Sequence, residues 1–303
     1  MHHRMKRITI LFLALGLGFL APALAQYDEV EIEPVKITDS LYMLKGAGGN
    51  MGLSIGEDGV LLIDDQFAPL SDKIVAAVAE LTDQPIRFVV NTHWHGDHTG
   101  GNEALGEAGA IIVAHENVRV RMSKGQFMKA FNRHVNPAPE VALPVVTFTE
   151  GMTVHWNDDE LEIEHRPHAH TDGDAIVLFR KANVLHTGDL FFNGFYPFVD
   201  ASSGGSLAGL LNALETLLPE VDEETVIIPG HGPLAKKADL EAYIEMLTGV
   251  QTTISGLIES GKSKEEIIAA KPTSEYDEQW GGGFLPPDKW VGVIYEAIAG
   301  VAE

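Results

Sequence analysis

The chain has 303 residues, 45% of them hydrophobic and 21% charged, so it can bury a sizeable core and does not resemble a disordered segment. It has no cysteine, which excludes disulfide scaffolds, thiolate metal sites, iron–sulfur clusters and a cysteine nucleophile. The net charge is −23. The first 26 residues carry Arg4, Lys6 and Arg7 and no acid, leaving −26 (−23 less those three) on the remainder. So acidic a surface repels phosphate backbones and anionic lipid, and no nucleic-acid partner is expected.

The N-terminus has the form of an export signal. Met1 to Arg7 is short and basic, Ile8 to Leu20 is apolar, and Ala23 and Ala25 place small residues before a cleavage point at Gln26. Pro22 ends the apolar run short of the ~20 residues that a spanning helix needs. Residues 1–25 are therefore expected to be a Sec-type signal peptide that is removed. The mature protein is expected to be periplasmic or secreted, with no membrane association after cleavage.

Short apolar runs bounded by Gly, Asp or Asn predict strands at Leu41–Leu44, Leu53–Ile55, Val60–Ile63, Phe88–Val90 and Ile111–Val113. Between them, Ser71 is expected to cap a helix with Ile74, Val75, Val78 and Leu81 on one side. A second helix is predicted over 116–131, and the prolines of 136–144 require a loop. Strands resume at Val145–Phe148, Thr153–Trp156, Leu161–His165, Ala175–Phe179 and Val184–His186. Leucines at helical spacing after Ser206 predict a helix, Val226–Ile228 a last strand, and Leu240 to Ile258 one long amphipathic helix. The two halves share a layout. The reading is one mixed α/β layered domain over 26–235, with helices on the outer faces of its sheets and a helical C-terminal extension over 236–303 packed on the same domain. Periodicity leaves open whether the extension caps the fold or forms a dimer surface, and with it the oligomeric state.

Chemistry concentrates after the strands. The segment Asn91-Thr92-His93-Trp94-His95-Gly96-Asp97-His98-Thr99-Gly100-Gly101 directly follows the buried run Phe88-Val89-Val90. His93 and His95 are two apart and project from one side of an extended chain, with Trp94 pointing away. Asp97 and His98 follow in a glycine-flanked turn. Imidazole and carboxylate converging in this way suit zinc or another borderline first-row ion. Three further residues lie beside strands: His170 before Ala175-Ile176-Val177, Asp189 after Val184–His186, and His231 after Val226–Ile228. Each alone reads as a turn or a surface residue; together they form H-x-H-x-D-H … H … D … H. His168 and His186 lie close enough to proposed ligands to be candidates for supporting roles, whereas His115, His134, His155 and His165 read as structural.

With this pattern, the stretch from about residue 30 to 235 resembles the metallo-β-lactamase superfamily. The resemblance implies a four-layer αββα sandwich with a dinuclear site at one edge of the two sheets, holding two Zn2+ or other divalent ions. Carried over by position, His93, His95 and His170 would bind the first ion. Asp97, His98 and His231 would bind the second, and Asp189 would bridge both. Asp64, which ends Leu61-Leu62-Ile63-Asp64, matches an aspartate behind the metals that orients ligands, although a strand-ending turn explains it equally well. The implied activity is hydrolysis: a hydroxide shared by the ions attacks a carbonyl, and Asp97 orients it and passes a proton to the leaving group.

For an exported member, a small-molecule β-lactam (a cyclic amide) is the first expected substrate. The best-known zinc β-lactamases, however, carry cysteine where this chain has Asp189, and many carry lysine three positions later, where this chain has Phe192. Aspartate at the bridging position is typical of relatives that cleave lactones, thioesters and other esters. Asn193 and Tyr196 are candidates to hold a substrate carboxylate. The aromatic stretch from Phe191 to Phe198 reads equally as substrate wall and as core. Phe67, Trp280 and Phe284 are placed in loops able to close over an apolar substrate. The competing reading from another class is a mononuclear iron persulfide dioxygenase using His93 or His95, His170 and Asp189. The complete set of second-site ligands favours the hydrolase.

Overall fold

The computed structural model describes residues 26–300, and the expected signal peptide lies outside the described residues. Four strands, β1 (Glu33–Lys36), β2 (Leu41–Lys45), β3 (Met51–Gly56) and β4 (Gly59–Ile63), form an antiparallel meander. Helix α1 (Ser71–Leu81) then carries the chain to β5 (Ile86–Asn91), which pairs parallel with β4. Two short helices, α2 (Gly96–Thr99) and α3 (Asn102–Glu107), precede β6 (Ile111–His115), and α4 (Glu116–Met122) follows it. A small hairpin of β7 (Gln126–Met128) and β8 (Arg133–Val135) stands apart. Then β9 (Val146–Phe148) completes a seven-stranded sheet in the order β1-β2-β3-β4-β5-β6-β9.

The second sheet has five strands: β10 (Gly151–Trp156), β11 (Asp159–His165), β12 (Ala175–Phe179), β13 (Val184–His186) and β14 (Val226–Ile228). The first four run antiparallel in turn, and β14 lies parallel to β13. Helix α5 (Leu207–Leu217) connects these last two strands, and α6 (Lys237–Glu259), α7 (Lys264–Ala269), α8 (Asp277–Trp280) and α9 (Pro287–Ala299) follow. Among the described residues no helix is long and apolar enough to cross a membrane.

The two sheets face each other across one apolar layer. Leu61, Ile63, Val90 and Val113 from the first meet Leu161, Ile163, Val177 and Phe179 from the second. On the outer side of the first sheet, Ile74 and Val78 of α1 and Leu105 of α3 cover Leu53, Leu62 and Val89. Beyond the second, α5, α6 and α9 share a core with Ile176 and Leu178. The predicted αββα sandwich is therefore the observed fold, and each fully buried side chain in it contributes roughly 1.5–3 kcal/mol of transfer free energy.

Two local expectations fail. Ser71 is not an N-cap: it lies inside the first turn of α1, where its hydroxyl donates to the Ala68 carbonyl, and Val75 is 46% exposed. The helix predicted over 116–131 ends at Met122. Ser123 and Lys124 close the last turn onto the Arg119 and Arg121 carbonyls, and Gly125 disfavours continuation. The chain beyond turns back as the β7–β8 hairpin, with Asn132 left-handed at φ 48°. By contrast, Ser206 does cap α5, its hydroxyl accepting from the Gly209 N–H at 3.0 Å.

Candidate metal centre

One edge of the sandwich collects the polar side chains. Parallel strands β4 and β5 both end there, as do β13 and β14, and because β12 runs antiparallel to β13 its beginning lies at the same edge. Segments far apart in sequence thus deliver Asp64, the His93–His98 stretch, His170, Asp189 and His231 to one place. Backbone and side-chain bonds hold the rim: the Asn50 N–H donates to the Gly230 carbonyl at 2.7 Å, and Asn50 Nδ2 donates to the carbonyls of Pro229 and Gly232 at 2.8 Å each.

The seven predicted ligands fall into two groups with Asp189 between them. In the first, His95 Nδ1 lies 3.1 Å from His93 Nε2 and 2.9 Å from His170 Nε2. Asp189 Oδ2 is 3.7 and 3.5 Å from the same His93 and His170 atoms. In the second, Asp97 Oδ2 lies 3.7 Å from His98 Nε2 and 3.5 Å from His231 Nε2. Asp189 Oδ1 is 3.1 and 3.3 Å from those two nitrogens. A tetrahedron of zinc–nitrogen bonds has edges of about 3.3 Å, the spacing seen throughout. His98 Nε2 and Asp189 Oδ1 are buried without a hydrogen-bond partner. Orphaned atoms of this kind need a cation between them, and the imidazole–carboxylate set fits a divalent ion of the zinc type.

The other nitrogen of four of these histidines is tied down. His98 Nδ1 donates to Asp64 Oδ2 at 2.7 Å, His170 Nδ1 to the Phe198 carbonyl at 2.7 Å, and His95 Nε2 to Asp200 Oδ2 at 3.1 Å. His93 Nδ1 donates to Thr92 Oγ1 at 3.1 Å, which itself donates to Asp64 Oδ2 at 2.8 Å. Such bonds fix the ring orientation and the tautomer that faces the ion. Asp64 thus bonds one candidate ligand, His98, directly and a second, His93, through Thr92.

Electrostatics agree with the geometry. Burial, with His98 nearby, drives His93 well below the usual imidazole range, and burial lowers His170 to about 4. Both are neutral at pH 7, the ligating form. Burial, the largest single effect, opposes charging of His98 and His231, but the neighbouring carboxylates together outweigh it and raise both: Asp189 and Asp97 at each, with Asp64 as well at His98. Asp189, despite its burial, is held well below the carboxylate range by His98, His231 and His93. The second group thus carries an excess of negative charge that calls for a proton or a metal ion.

Above the centre opens a cavity of about 700 Å³. His231 and Asp97 are its accessible ligands, with side chains 21% and 26% exposed. Phe67, Phe192, Phe195, Phe198 and Phe284 line it, so the aromatic stretch divides. Phe192 stacks on His231 with ring centres 4.7 Å apart, while Phe191 packs into the core against Tyr243.

Tyr196 does not line the cavity. It is buried, stacks on Trp290 at 3.9 Å and donates its hydroxyl to Asp277 at 2.8 Å, because α8 and α9 cover it. Asn193 does not line the cavity either, and its side-chain amide donates to the Pro233 carbonyl at 3.2 Å. Trp280 is buried against Tyr243 rather than placed over the cavity. His168 is an exposed left-handed turn residue at φ 54°, donating to the Gly204 carbonyl. His186, lowered by burial to about 4, is a neutral brace between the Asn50 carbonyl and the Gly188 N–H. Trp94 is buried beside Val118 and Leu143, turned away as expected. Asp200 was missed because an acid before Ser202, Ser203, Gly204 and Gly205 reads as a turn; its contact with His95 spans 105 positions.

Residues 45–231 match the family model described as the metallo-beta-lactamase superfamily. The chain belongs to that superfamily. Within it, the chain is 29% identical over 177 residues to an uncharacterized protein of Aquifex aeolicus, covering 58% of this chain and 80% of the relative. It is 25% identical over 163 residues to the hydroxyacylglutathione hydrolase GloC of Haemophilus influenzae, covering 54% and 76%. A metallo-beta-lactamase from Pontibacter korlensis shares the fold, with a TM-score of 0.57 and 21% identity over 72% of this chain and 99% of that one. The protein is thus a metallo-β-lactamase-superfamily hydrolase with a divalent-metal site.

Proposed function

We propose that the protein is an exported dinuclear zinc hydrolase that cleaves an acyl–heteroatom bond in a substrate with a large apolar part. The observation that carries this reading is Asp189, whose two carboxylate oxygens face two separate groups of ligands, Oδ2 toward His93 and His170 and Oδ1 toward His98 and His231. Divalent ions held by these groups would supply the positive charge that acidifies water and polarises a carbonyl. The chain's own residues do the rest. The phenylalanines exclude bulk water and orient the acyl group, and Asp97, which lines the cavity, takes a proton from the attacking water and returns it to the departing heteroatom. One C–X bond breaks, one C–O bond forms, and the products are an acid and H–X.

Cyclic amides of the β-lactam class are the first substrates to test. Lactones and thioesters come next, favoured by aspartate at the bridging position and by relatives named hydroxyacylglutathione hydrolases. Zinc-loaded mature protein assayed on a panel of these is expected to hold two metal ions per chain, to lose turnover with a chelator and to regain it with zinc. Asp97→Ala is expected to cut kcat by at least 100-fold. One iron per chain would overturn the reading in favour of the dioxygenase.

A further inference from the structure

Building on the acyl-hydrolase reading, we propose that Arg133 anchors a carboxylate of the substrate, so that the natural substrate is an amphiphilic acid.

Arg133 is the only lysine or arginine that lines the cavity over the metal centre, among the described residues. The acids that line it, Asp97 and Asp189, are both engaged at the metal groups. Pairing in the hairpin accounts for its aim. Arg133 opposes Met128 across β7–β8, and both line the cavity, whereas the next pair, Phe127 and His134, lie against each other with tilted rings 4.7 Å apart and do not line it. Alternation along a strand sends successive side chains to opposite faces.

The guanidinium is also free. Arg119, Arg121, Arg166 and Arg180 each pair with a carboxylate, but Arg133 forms no salt bridge among the described residues. A second cavity of about 790 Å³ meets the first at Phe131, Phe198 and Phe284; its Lys129 and Lys264 are paired with Glu296 at 3.3 and 2.7 Å, and its Lys289, like them, does not line the cavity over the metal centre. Nor does a cation approach from the position three after Asp189, where Phe192 covers His231. Phe131 and Phe284, 41% and 57% exposed, present apolar surface beside Arg133. An apolar body on these rings with a carboxylate in the guanidinium fork satisfies both features.

The test has two arms, on zinc-loaded protein and on Arg133→Ala and Arg133→Lys variants. In the first, calorimetry measures binding of octanesulfonate and octanol, which needs no turnover. Wild type is expected to prefer the sulfonate, Arg133→Ala to lose about tenfold in sulfonate affinity with little change for octanol, and Arg133→Lys to fall between. No preference in wild type, or equal loss for both probes, overturns the anchor. In the second arm, ester substrates that differ only in a free or methyl-capped carboxylate are compared. The acid-to-capped ratio of kcat/KM should fall about tenfold in Arg133→Ala, mainly through KM; an unchanged ratio overturns the proposal. Wild type that hydrolyses nothing would count against the acyl-hydrolase reading and leave the binding arm to decide the anchor.

Discussion

The Asp64 carboxylate accepts three hydrogen bonds, from the Thr92 N–H at 2.7 Å, the Thr92 hydroxyl at 2.8 Å and His98 Nδ1 at 2.7 Å. It does so from a left-handed backbone at φ 60°, a conformation that costs a non-glycine residue about 1 kcal/mol or more. Holding that strained, fully buried position makes sense only if the three donors need it. In Asp64→Ala all three lose their acceptor, and His98 loses the bond that sets its tautomer. Metal affinity should fall about 10- to 100-fold, as read by competition with a chromophoric chelator; unchanged affinity would show that Asp64 is a spectator. The seven candidate ligands could be read from the chain because histidines and aspartates of ligand type cluster beside strand ends. Asp200 could not, because its only distinguishing contact is with a ring brought to it by the fold.

Among the elements, the β7–β8 hairpin and the C-terminal helices shape the cavity. The apolar residues after Gly125 looked helical because short runs carry little periodic information, and cross-strand pairing with 133–135 overrode it. Helix α9 matters through Trp290, which is fully buried, stacks on Tyr196 and donates from Nε1 to the Pro197 carbonyl at 2.6 Å. It thereby braces the segment that supplies Phe192, Phe195 and Phe198 to the cavity wall. Trp290→Ala should destabilise the protein by about 3–5 kcal/mol in chemical denaturation. A loss below about 1 kcal/mol would mean that α9 packs without supporting the second sheet.

For the molecule as a whole, stability should depend on pH through a pair of histidines away from the metal groups, one buried and one partly exposed. His115 and His165 stack at 3.7 Å with planes 12° apart. Burial lowers both from the usual 6.5, with His115 adding to the effect on His165. Below 6.5 the unfolded chain binds more protons at these positions than the folded one, so their contribution is present above that pH and is lost as pH falls toward the folded-state values. Melting curves of chelator-treated protein between pH 7.5 and 5 should show a fall in Tm that is smaller in His165→Gln. An equal fall in both would remove the pair from the balance.

Composition, strand-length apolar runs and clustered ligand-type residues were enough to foretell a mixed α/β layered domain with its chemistry at the strand ends, because those signals are local in the chain; the αββα sandwich followed from the family resemblance. Close approaches between distant segments were not. A Cβ on Gly49 would collide with the His98 ring, yet nothing beside Gly49 in sequence announces this. The same holds for the burial of Tyr196 beneath α9 and for the aim of Arg133 into the cavity. Those depend on which elements are packed together, and packing is a property of the folded whole.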